Sequence, residues 1–255
     1  MPQKPAWNKV TFRSSKTNPK FRNKHEFIQN ELGALWAAKL GVQSLKLECT
    51  KEEADYVTRP SDAMFIQEEI TKSMAHIKVF VDGFASIGGD SMAATYAHPS
   101  SQIYAVQRIK TREEENRFER LVKNMKAFHR AAHRAAGGHQ GEVVCVPEDI
   151  GTFLRNSKER KVNISVLYLD PPWSLDEPGV ISPMEDIHKF LTNNVYNHLP
   201  RGHLIPLICL KLPHEVKDLD EWLPKKLRYQ LVKTLFIRKK YYVYFLMPSG
   251  KMKQM

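Results

Sequence analysis

The chain has 255 residues, 42% of them hydrophobic, which suits one large α/β domain with a short extension. Its 39 lysine and arginine residues outnumber its 28 aspartate and glutamate residues, giving a formal charge of +11 that indicates a polyanionic partner such as RNA or DNA. No apolar run approaches the length of a membrane span, and the basic N-terminus lacks the apolar stretch of a secretory signal, so neither a membrane protein nor a secreted protein is expected.

The cysteines and histidines point to an intracellular protein without a metal site. The three cysteines are odd in number and form no CxxC pair, and Cys145 and Cys209 lie in apolar, strand-like runs. They are therefore interpreted as reduced core residues, which leaves nucleus and cytoplasm undistinguished. His129 and His133 stand one helical turn apart, but the arginines beside them oppose a cation, so no metal is predicted.

The N-terminal quarter of the chain divides into two segments. Residues 1–24 contain seven basic residues, three prolines and no acid, and are predicted to be a flexible basic arm. A plain solubilising tail is the alternative. Residues 25–61 form a helical N-terminal extension in which 25–41 shows helical spacing of apolar residues. A helix over 62–75 follows, with Ser61 or Asp62 as its cap.

From residue 77 onward, short β-branched runs alternate with helical segments. The predicted strands are 77–82, 102–107, 142–146, 163–169 and 204–210, and the predicted helices between them are 90–97, 112–134, 149–156 and 184–198. The last two strands, 229–237 and 241–247, flank a turn and form a hairpin. The pattern predicts an α/β fold with a mainly parallel sheet, helices on both faces and a C-terminal antiparallel hairpin. Ligands of such sheets bind outside the carboxyl ends of the strands.

The first motif, VFVDGFASIGGD over Val79–Asp90, contains a strand, an acid, a glycine-containing turn and a helix start. Asp82 at the strand end suits the ammonium group of an amino acid, and free amides at the helix start suit its carboxylate. Methionine offers both groups. Because the glycine spacing is not GxGxxG, a pyrophosphate cradle is not implied. The motif predicts a cofactor loop, with an ordinary strand-to-helix turn as the alternative.

The second motif is Asp170-Pro171-Pro172-Trp173, directly after the fourth predicted strand. The prolines stop the strand ladder and leave their carbonyls facing the cleft. An exocyclic amine on a nucleic-acid base is a poor nucleophile because its lone pair is delocalised into the ring, and it needs acceptors for its two hydrogens. The Asp170 carboxylate and the Pro171 carbonyl can be these acceptors, while Trp173 offers a flat face to the base. A proline-rich turn with a core tryptophan is the alternative.

Together the two motifs resemble those of the amino-methyltransferases with an Asp/Asn/Ser-Pro-Pro-aromatic signature. Within that group, Val81–Asp90 follows the frame of the trimethylguanosine synthase family, the cap guanine-N2 methyltransferases, and the order of the motifs also agrees. The resemblance covers roughly residues 55–247. It implies a Rossmann-like class I methyltransferase domain over 62–255, S-adenosyl-L-methionine as cofactor, and capped RNA as partner.

The resemblance also implies a set of cofactor-binding residues. They are Thr58, Arg59, Asp82, Gly83, Phe84, Ala85, Gly88, Asp90, Gln107, Asp149 and Asp170. Thr58-Arg59-Pro60 is similar to the Thr-Pro dipeptide that opens a helix of the family, with one residue inserted. Asp149 stands where the fold has an acid for the adenine amine; Glu148 competes for this role, and Asp149 can equally cap the helix that follows it.

The sequence departs from the family at three places. Asp170 replaces the family's serine, and Ser174-Leu175-Asp176 replaces a Gly-Gly-Pro. Gln107 stands where such enzymes have an acid that holds both ribose hydroxyls, and an amide can still hydrogen-bond the ribose but without assistance from charge.

Three functions are compatible with these residues. The first is methylation of guanine N2 in a 7-methylguanosine cap, with Asp170, Pro171 and Trp173 as catalytic residues. The substrate-binding residues would be Trp173, Lys211, Arg238 and Lys239, although a solvated charged face is the alternative for each basic residue. The second function is adenine-N6 methylation of RNA or DNA, which Asp170 favours. The third is a non-catalytic RNA-binding subunit that keeps the fold, which Gln107 favours.

Overall fold

The structure is a computed structural model, which describes residues 24–50, 53, 57–138, 141–175, 180–200, 204–215 and 227–249. The helices are α1 Lys24–Leu40, α2 Pro60–Ser73, α3 Gly89–Ala97, α4 Arg112–Ala135, α5 Ile150–Asn156 and α6 Met184–Asn194, and a 3-10 turn, Tyr196–His198, follows α6. The strands are β1 Val79–Asp82, β2 Gln102–Val106, β3 Val143–Val146, β4 Val166–Leu169, β5 Leu207–Pro213, β6 Tyr229–Ile237 and β7 Tyr241–Pro248. The basic arm predicted over 1–24 lies outside the described residues, apart from Lys24.

The described strands form one seven-stranded sheet in the order β3-β2-β1-β4-β5-β7-β6. Strands β1 to β5 pair in parallel, while β7 runs antiparallel between β5 and β6. The predicted fold class, a mainly parallel sheet with a C-terminal antiparallel hairpin, is confirmed. The chain leaves β1 on one side toward β2 and returns on the other side as β4, so the topological switch point lies between β1 and β4.

Helices cover both faces of the sheet because the central strands are apolar on both sides. All four residues of β4 are buried. Leu167 and Leu169 belong to the core under α5 and α6, whereas Val166 and Tyr168 belong to the core under α2 and α3. This alternation is the two-residue period of a strand, and a strand buried on both faces is typical of a parallel sheet.

The start of helix α2 differs from the prediction. Helix α2 begins at Pro60 rather than at residue 62, because proline is favourable in the first turn of a helix, where its missing N–H is not needed. The prediction that Ser61 or Asp62 caps this helix is therefore wrong: Arg59 occupies the N-cap position and no side chain caps the helix. Asp62 instead accepts a hydrogen bond of 2.6 Å from Nε of Arg238.

The first histidine of the pair is bound within the protein. His129 shares a hydrogen bond of 2.8 Å with the carbonyl oxygen of Gly141. Within the described parts of the chain, no group of three or more histidine, cysteine or acidic residues could hold a metal ion. In the same parts, every helix is too short or too polar to cross a membrane.

Helix α1 packs on the rest of the domain through buried apolar residues, of which Trp36 is the largest. Trp36 is fully buried, and its ring meets Phe128 of α4 edge-on with 5.0 Å between centroids. Both residues belong to a core cluster that also contains residues of α2 and α3. The helix therefore contributes to the same hydrophobic core as the strands and helices that follow.

Replacing Trp36 by alanine should lower the free energy of unfolding by about 3–5 kcal/mol, since it leaves a large cavity in a packed core. The indole N–H makes no hydrogen bond to the described residues, so the loss is one of packing alone. Urea unfolding followed by circular dichroism measures this. Leu35→Ala, on the partly exposed side of the same helix, is the control and should cost clearly less. Equal losses for the two variants would contradict this role for Trp36.

Candidate active site at the carboxyl ends of the strands

Three charged residues lie near one another at the carboxyl ends of β1 and β4 and at the level of these ends in β5. Asp82 is the last residue of β1 and pairs with Tyr168 of β4. Asp170 follows β4 directly, and Lys211 follows the β5 residue that pairs with Leu169. Because neighbouring parallel strands end at the same edge, the local sequence is sufficient to bring these three side chains to the switch point of the sheet.

Lys211 is the centre of a buried hydrogen-bond network, with only 3% of its surface exposed. Its Nζ donates to Oδ2 of Asp170 at 2.6 Å and to Oγ1 of Thr58 at 2.7 Å. Thr58 in turn donates to Oδ2 of Asp90 at 2.6 Å, and the hydroxyl of Tyr168 donates to the other oxygen of Asp90 at 3.3 Å. The network connects two strands, the start of α2 and the first turn of α3.

Asp82 is also buried, with 1% exposure, beside this network. Its Oδ2 accepts a hydrogen bond of 2.6 Å from Oγ of Ser91, and its Oδ1 accepts one of 3.3 Å from the backbone N–H of Phe84. Burial, followed by the negative charge of Asp90, raises the pKa of Asp82 to about 7 in spite of these hydrogen bonds. The carboxyl group is therefore poised between its two protonation states near neutral pH.

The site contains more negative than positive charge. Burial raises the pKa of Asp170 to about 6, against the lowering effect of Lys211. Burial alone would lower the pKa of Lys211, but the carboxylates of Asp170 and Asp90 hold it above its usual range. With Asp82 included, three carboxyl groups face one ammonium group. An additional cation from a ligand would favour their ionised forms, so the site fits a ligand with positive charge.

The loop after β1 is packed tightly against the sheet. Gly83 donates its N–H to the carbonyl of Tyr168 at 2.9 Å, and Ala85 donates to the carbonyl of Val106 at 3.0 Å. A Cβ atom at Gly83 would lie 2.9 Å from Cδ2 of Leu169 and 3.0 Å from Cγ1 of Ile150, so a larger residue there would require these side chains to shift. Glycine at position 83 therefore lets the loop pack closely on Leu169 and Ile150, whatever the loop binds.

The end of this loop turns into α3 through a left-handed residue. Gly88 occupies the N-cap position of α3 with a φ of 101°, a conformation that glycine adopts without strain. The ring of Phe84, on the opposite side of the loop, is partly exposed and lies 5.9 Å from the ring of Phe190 in α6. The loop therefore lies between the helices α3 and α6.

Gln107, the residue predicted to hold a ribose, is already engaged with the protein. Its Oε1 accepts from the backbone N–H of Ser86 at 2.9 Å, and its Nε2 donates to the carbonyl of Arg108 at 3.0 Å. Ser86 has a positive φ of 49°, so the amide of Gln107 holds a strained part of the loop after β1. The second N–H of Nε2 and the second lone pair of Oε1 are left for a ribose hydroxyl.

Asp149 caps helix α5, as one of its two predicted roles required. Its two oxygens accept from the N–H of Thr152 at 2.9 Å and from the hydroxyl of Thr152 at 2.8 Å. Burial raises the pKa of Asp149, but these hydrogen bonds outweigh it and the pKa lies below its usual range. Glu148, the competing acid, forms an ion pair with Arg160. A contact between Asp149 and an adenine amine stays a prediction.

Trp173 lies beside two residues of the sheet edge. Its ring is partly buried, and its centroid lies 6.0 Å from that of Tyr241. The ammonium of Lys211 lies 5.6 Å from the centroid of Trp173 and 4.7 Å from that of Tyr241. Pro171 is buried, whereas Pro172 is exposed. Lys211 therefore lies against the ring of Trp173, the predicted base-stacking residue. Because Lys211 is buried, the structure does not favour the predicted contact between Lys211 and RNA.

The other predicted substrate residues, Arg238 and Lys239, lie in the hairpin turn, and the predicted cofactor residue Arg59 lies at the start of α2. Arg238 donates to Asp62 at 2.6 Å and to Oγ of Ser61 at 3.1 Å, so it links the β6–β7 turn to α2. Lys239 and Arg59 are exposed. The structure brings the turn close to the candidate site, but it uses Arg238 as a structural link.

Sequence reasoning missed two tyrosines of the site. Tyr168 lies inside the apolar β4 and reads as a core residue, although its hydroxyl donates to Asp90. Tyr241 begins β7 and reads as a hairpin residue, although its ring contacts both Trp173 and Lys211. A polar hydroxyl at the carboxyl end of a buried strand is the one local signal that could have identified Tyr168.

Comparison with known proteins bears on the fold. No protein-family model matches the sequence, and no curated protein is significantly similar to it. The structure is similar to the delta-N METTL16 MTase domain, with 12% identity, 90% of this chain and 99% of that chain covered, and a TM-score of 0.57. It is also similar to the human methyltransferase 10 domain containing protein, with 10% identity, 88% and 96% covered, and a TM-score of 0.57. The chain has a methyltransferase fold.

The ionisation of Asp82 predicts how stability depends on pH. Because the folded-state pKa of about 7 lies above the unfolded value near 4, the stabilising contribution of this group is fully present at low pH and is lost as pH rises through 7. Asp82→Asn keeps an acceptor for Ser91 and removes the charge. Without ligand, its Tm should therefore exceed that of the unaltered protein by an amount that grows between about pH 4 and pH 7 and then levels off.

Differential scanning fluorimetry at several pH values measures this difference. Asp186→Asn, at an exposed position in the first turn of α6, controls for the loss of one negative charge at the surface. A difference in Tm for Asp82→Asn that does not rise with pH more than that of the control would rule out the buried, partly protonated carboxyl.

Proposed function

We propose that this protein is an S-adenosylmethionine-dependent methyltransferase that acts on an exocyclic amine of an RNA base, and that this amine is N2 of a 7-methylguanosine cap. The observation that carries the proposal is the position of Asp170-Pro171-Pro172-Trp173. This acceptor motif lies at the carboxyl edge of the sheet, next to Asp82 on the neighbouring strand. The net charge of +11 supports an RNA partner.

The residues at the strand ends fit the cofactor. S-adenosylmethionine carries an ammonium and a sulfonium group, and it supplies the electrophilic methyl group when bound. Asp82 is buried, incompletely ionised and placed next to Asp90, so binding of a positive group there favours the carboxylate form. Gly83, Phe84, Ala85 and Gly88 shape the loop beside it.

The substrate amine would be held by Asp170 and Pro171. Oδ2 of Asp170 accepts a hydrogen bond from Lys211, and Oδ1 would accept one amine hydrogen. The carbonyl of Pro171 accepts the other, so that the nitrogen lone pair is directed toward the methyl group. Trp173 supports the base by stacking.

Lys211 resolves one departure from the trimethylguanosine synthase pattern. The family has a neutral serine where this chain has Asp170, which by itself would add a negative charge. Because Lys211 pairs with Asp170 at 2.6 Å, the two side chains together are neutral and still offer a free oxygen. The pair therefore resembles the family's acceptor in charge, which supports guanine as the substrate.

Methylation of adenine N6 is the second candidate, and one contact favours it. The ammonium of Lys211 lies 5.6 Å from the centroid of Trp173 and already interacts with its π-system. A tryptophan with a cation at one face attracts a second cation less strongly, so a neutral adenine would lose less than the positively charged 7-methylguanine.

Two substitutions distinguish these substrates in methyl-transfer assays on a 7-methylguanosine cap analogue and an adenine-containing oligonucleotide. Asp170→Ser should keep activity on the cap if guanine N2 is the target, and should lose most activity if an adenine amine needs the carboxylate. Trp173→Phe should weaken the cap substrate more than an unmethylated guanosine analogue, by roughly threefold, since phenylalanine attracts a cation less than tryptophan.

Trp173→Ala, expected to weaken substrate binding by roughly tenfold, measures the stacking contribution. A protein that is inactive on both bases, yet binds RNA equally well with Trp173→Ala, would refute the catalytic proposal and leave an RNA-binding subunit. Calorimetry with S-adenosylmethionine tests the cofactor separately: Asp82→Asn should weaken its binding.

The pairing of Lys211 with Asp170 predicts the pH dependence of activity. The carboxylate form of Asp170 is the one that accepts an amine hydrogen, so kcat/KM should rise with pH through the pKa of about 6. In Lys211→Met, loss of the ammonium should raise this pKa, and the acid limb of the profile should shift to higher pH with partial recovery above pH 8. Lys211→Arg retains the charge and should leave the limb closer to its original position. An unshifted limb in a folded Lys211→Met variant would show that Lys211 does not act through Asp170.

A further inference from the structure

The β6–β7 hairpin carries an aromatic and basic surface that the proposed chemistry does not use. Phe236 is 51% exposed, and its ring stacks on that of Tyr242 with 4.6 Å between centroids and 21° between planes. The turn beyond it presents Lys239 and Lys240, which are both exposed. These four residues are called the hairpin platform below.

The hairpin platform lies at the same edge of the sheet as the candidate site. Tyr241, the first residue of β7, pairs with Pro213, the last residue of β5. Successive residues of a strand point to opposite faces, so Tyr241 faces Trp173 and Tyr242 faces the other side of the sheet. Tyr242 of the hairpin platform thus directly follows Tyr241 of the candidate site, but it lies on the other face of the sheet.

The lysines of the platform are free to bind an anion. They form no ion pair with any residue that the structure describes, whereas Arg238 in the same turn is bound to Asp62. Glu215, the acid nearest to the turn in the described part of β5 and its extension, pairs with His214 at 3.2 Å. The N–H of Lys240 donates a hydrogen bond of 3.0 Å to the carbonyl of Ile237 and closes the turn. The backbone that carries both lysine side chains is therefore held in one conformation.

We propose that the hairpin platform binds the nucleotides adjacent to the methylated base in a single-stranded RNA. A base stacks on the exposed face of Phe236, and Lys239 and Lys240 contact the phosphates that connect it to the site. This inference rests on the proposed function, and it extends the substrate from a single nucleotide to a short RNA segment. An exposed aromatic face next to unpaired ammonium groups is the combination by which proteins hold single strands without reading their sequence.

An apolar protein partner fits the platform less well. Within 227–249, Phe236 is the single large hydrophobic side chain that is exposed, and basic residues follow it in the turn. A protein interface has an apolar centre from which charged residues are depleted. One exposed ring flanked by lysines instead matches a single-stranded RNA, in which bases alternate with phosphates.

The test uses the full chain, a fluorescent single-stranded RNA and fluorescence anisotropy. Phe236→Ala should weaken RNA binding by roughly tenfold, the loss of one stacked base. The matched control is Phe65→Ala, because Phe65 is 43% exposed on α2, which packs on the opposite face of the sheet. Equal affinities for the two variants would overturn the proposal, and so would an effect of Phe236→Ala on the binding of another protein but not of RNA.

The phosphate contacts are tested by their dependence on salt. Lys239→Gln/Lys240→Gln should lower the slope of log affinity against log salt concentration by roughly 0.7 for each phosphate that a lysine no longer neutralises. Lys158→Gln/Lys161→Gln is the control: both lysines are exposed and precede β4 at the opposite edge, and Lys161, like Lys239, has a positive φ. An unchanged slope in the platform variant, or an equal change in the control, contradicts the phosphate contacts.

The outcome is distinguishable from a failure of the proposed function. Methyl transfer to a minimal cap analogue does not need the platform, so Phe236→Ala should leave its kcat/KM unchanged while lowering kcat/KM for an extended RNA. If the protein methylates both the cap analogue and the extended RNA, and Phe236→Ala changes kcat/KM for neither substrate, the hairpin platform is wrong and the proposed function stands. If RNA binding depends on Phe236 but no base is methylated, the platform stands and the proposed function fails.

Discussion

The site depends on one buried ammonium group. Removing Lys211 from water would be costly without partners, and a lysine with 3% exposure is retained only where hydrogen bonds and opposite charges compensate it. Its contacts with Asp170 and Thr58 supply that compensation, and Thr58 passes the connection to Asp90. The hydrogen bonds of this single ammonium group therefore link β4, β5, α2 and α3 at the edge of the sheet, in addition to the strand ladder and the core packing.

This compensation is incomplete, which links stability to ligand binding. Asp82, Asp90 and Asp170 together outnumber the one ammonium, and the raised pKa of Asp82 shows that its ionised form is disfavoured in the free protein. A cationic ligand would restore the balance, so the free energy stored in unfavourable burial becomes available for binding. A better balanced site would be more stable without ligand and would bind a cation less tightly.

The sequence was sufficient for the fold but not for the contacts within the site. Short β-branched runs and turns indicated the strands, and strand ends located Asp82 and Asp170 because parallel strands end together. In contrast, Lys211 contacts Thr58 across 153 residues, and Arg238 contacts Asp62 across 176, and no local pattern records such pairs. Nor does a pattern show which way an amide faces, so the bond of Gln107 to Ser86 could not be expected.

The antiparallel hairpin determines what surrounds the acceptor motif. A parallel β7 would begin at the opposite edge of the sheet, far from Asp170, whereas the antiparallel pairing with β5 brings its first residues beside Trp173. From there, the two-residue period of the strand sends Tyr241 to one face and Tyr242 to the other. The antiparallel direction of β7 thus places Tyr241 beside the buried Lys211. It also places Tyr242 and Phe236 on the other face, next to the basic turn. The site and the hairpin platform therefore both depend on the direction of this one strand.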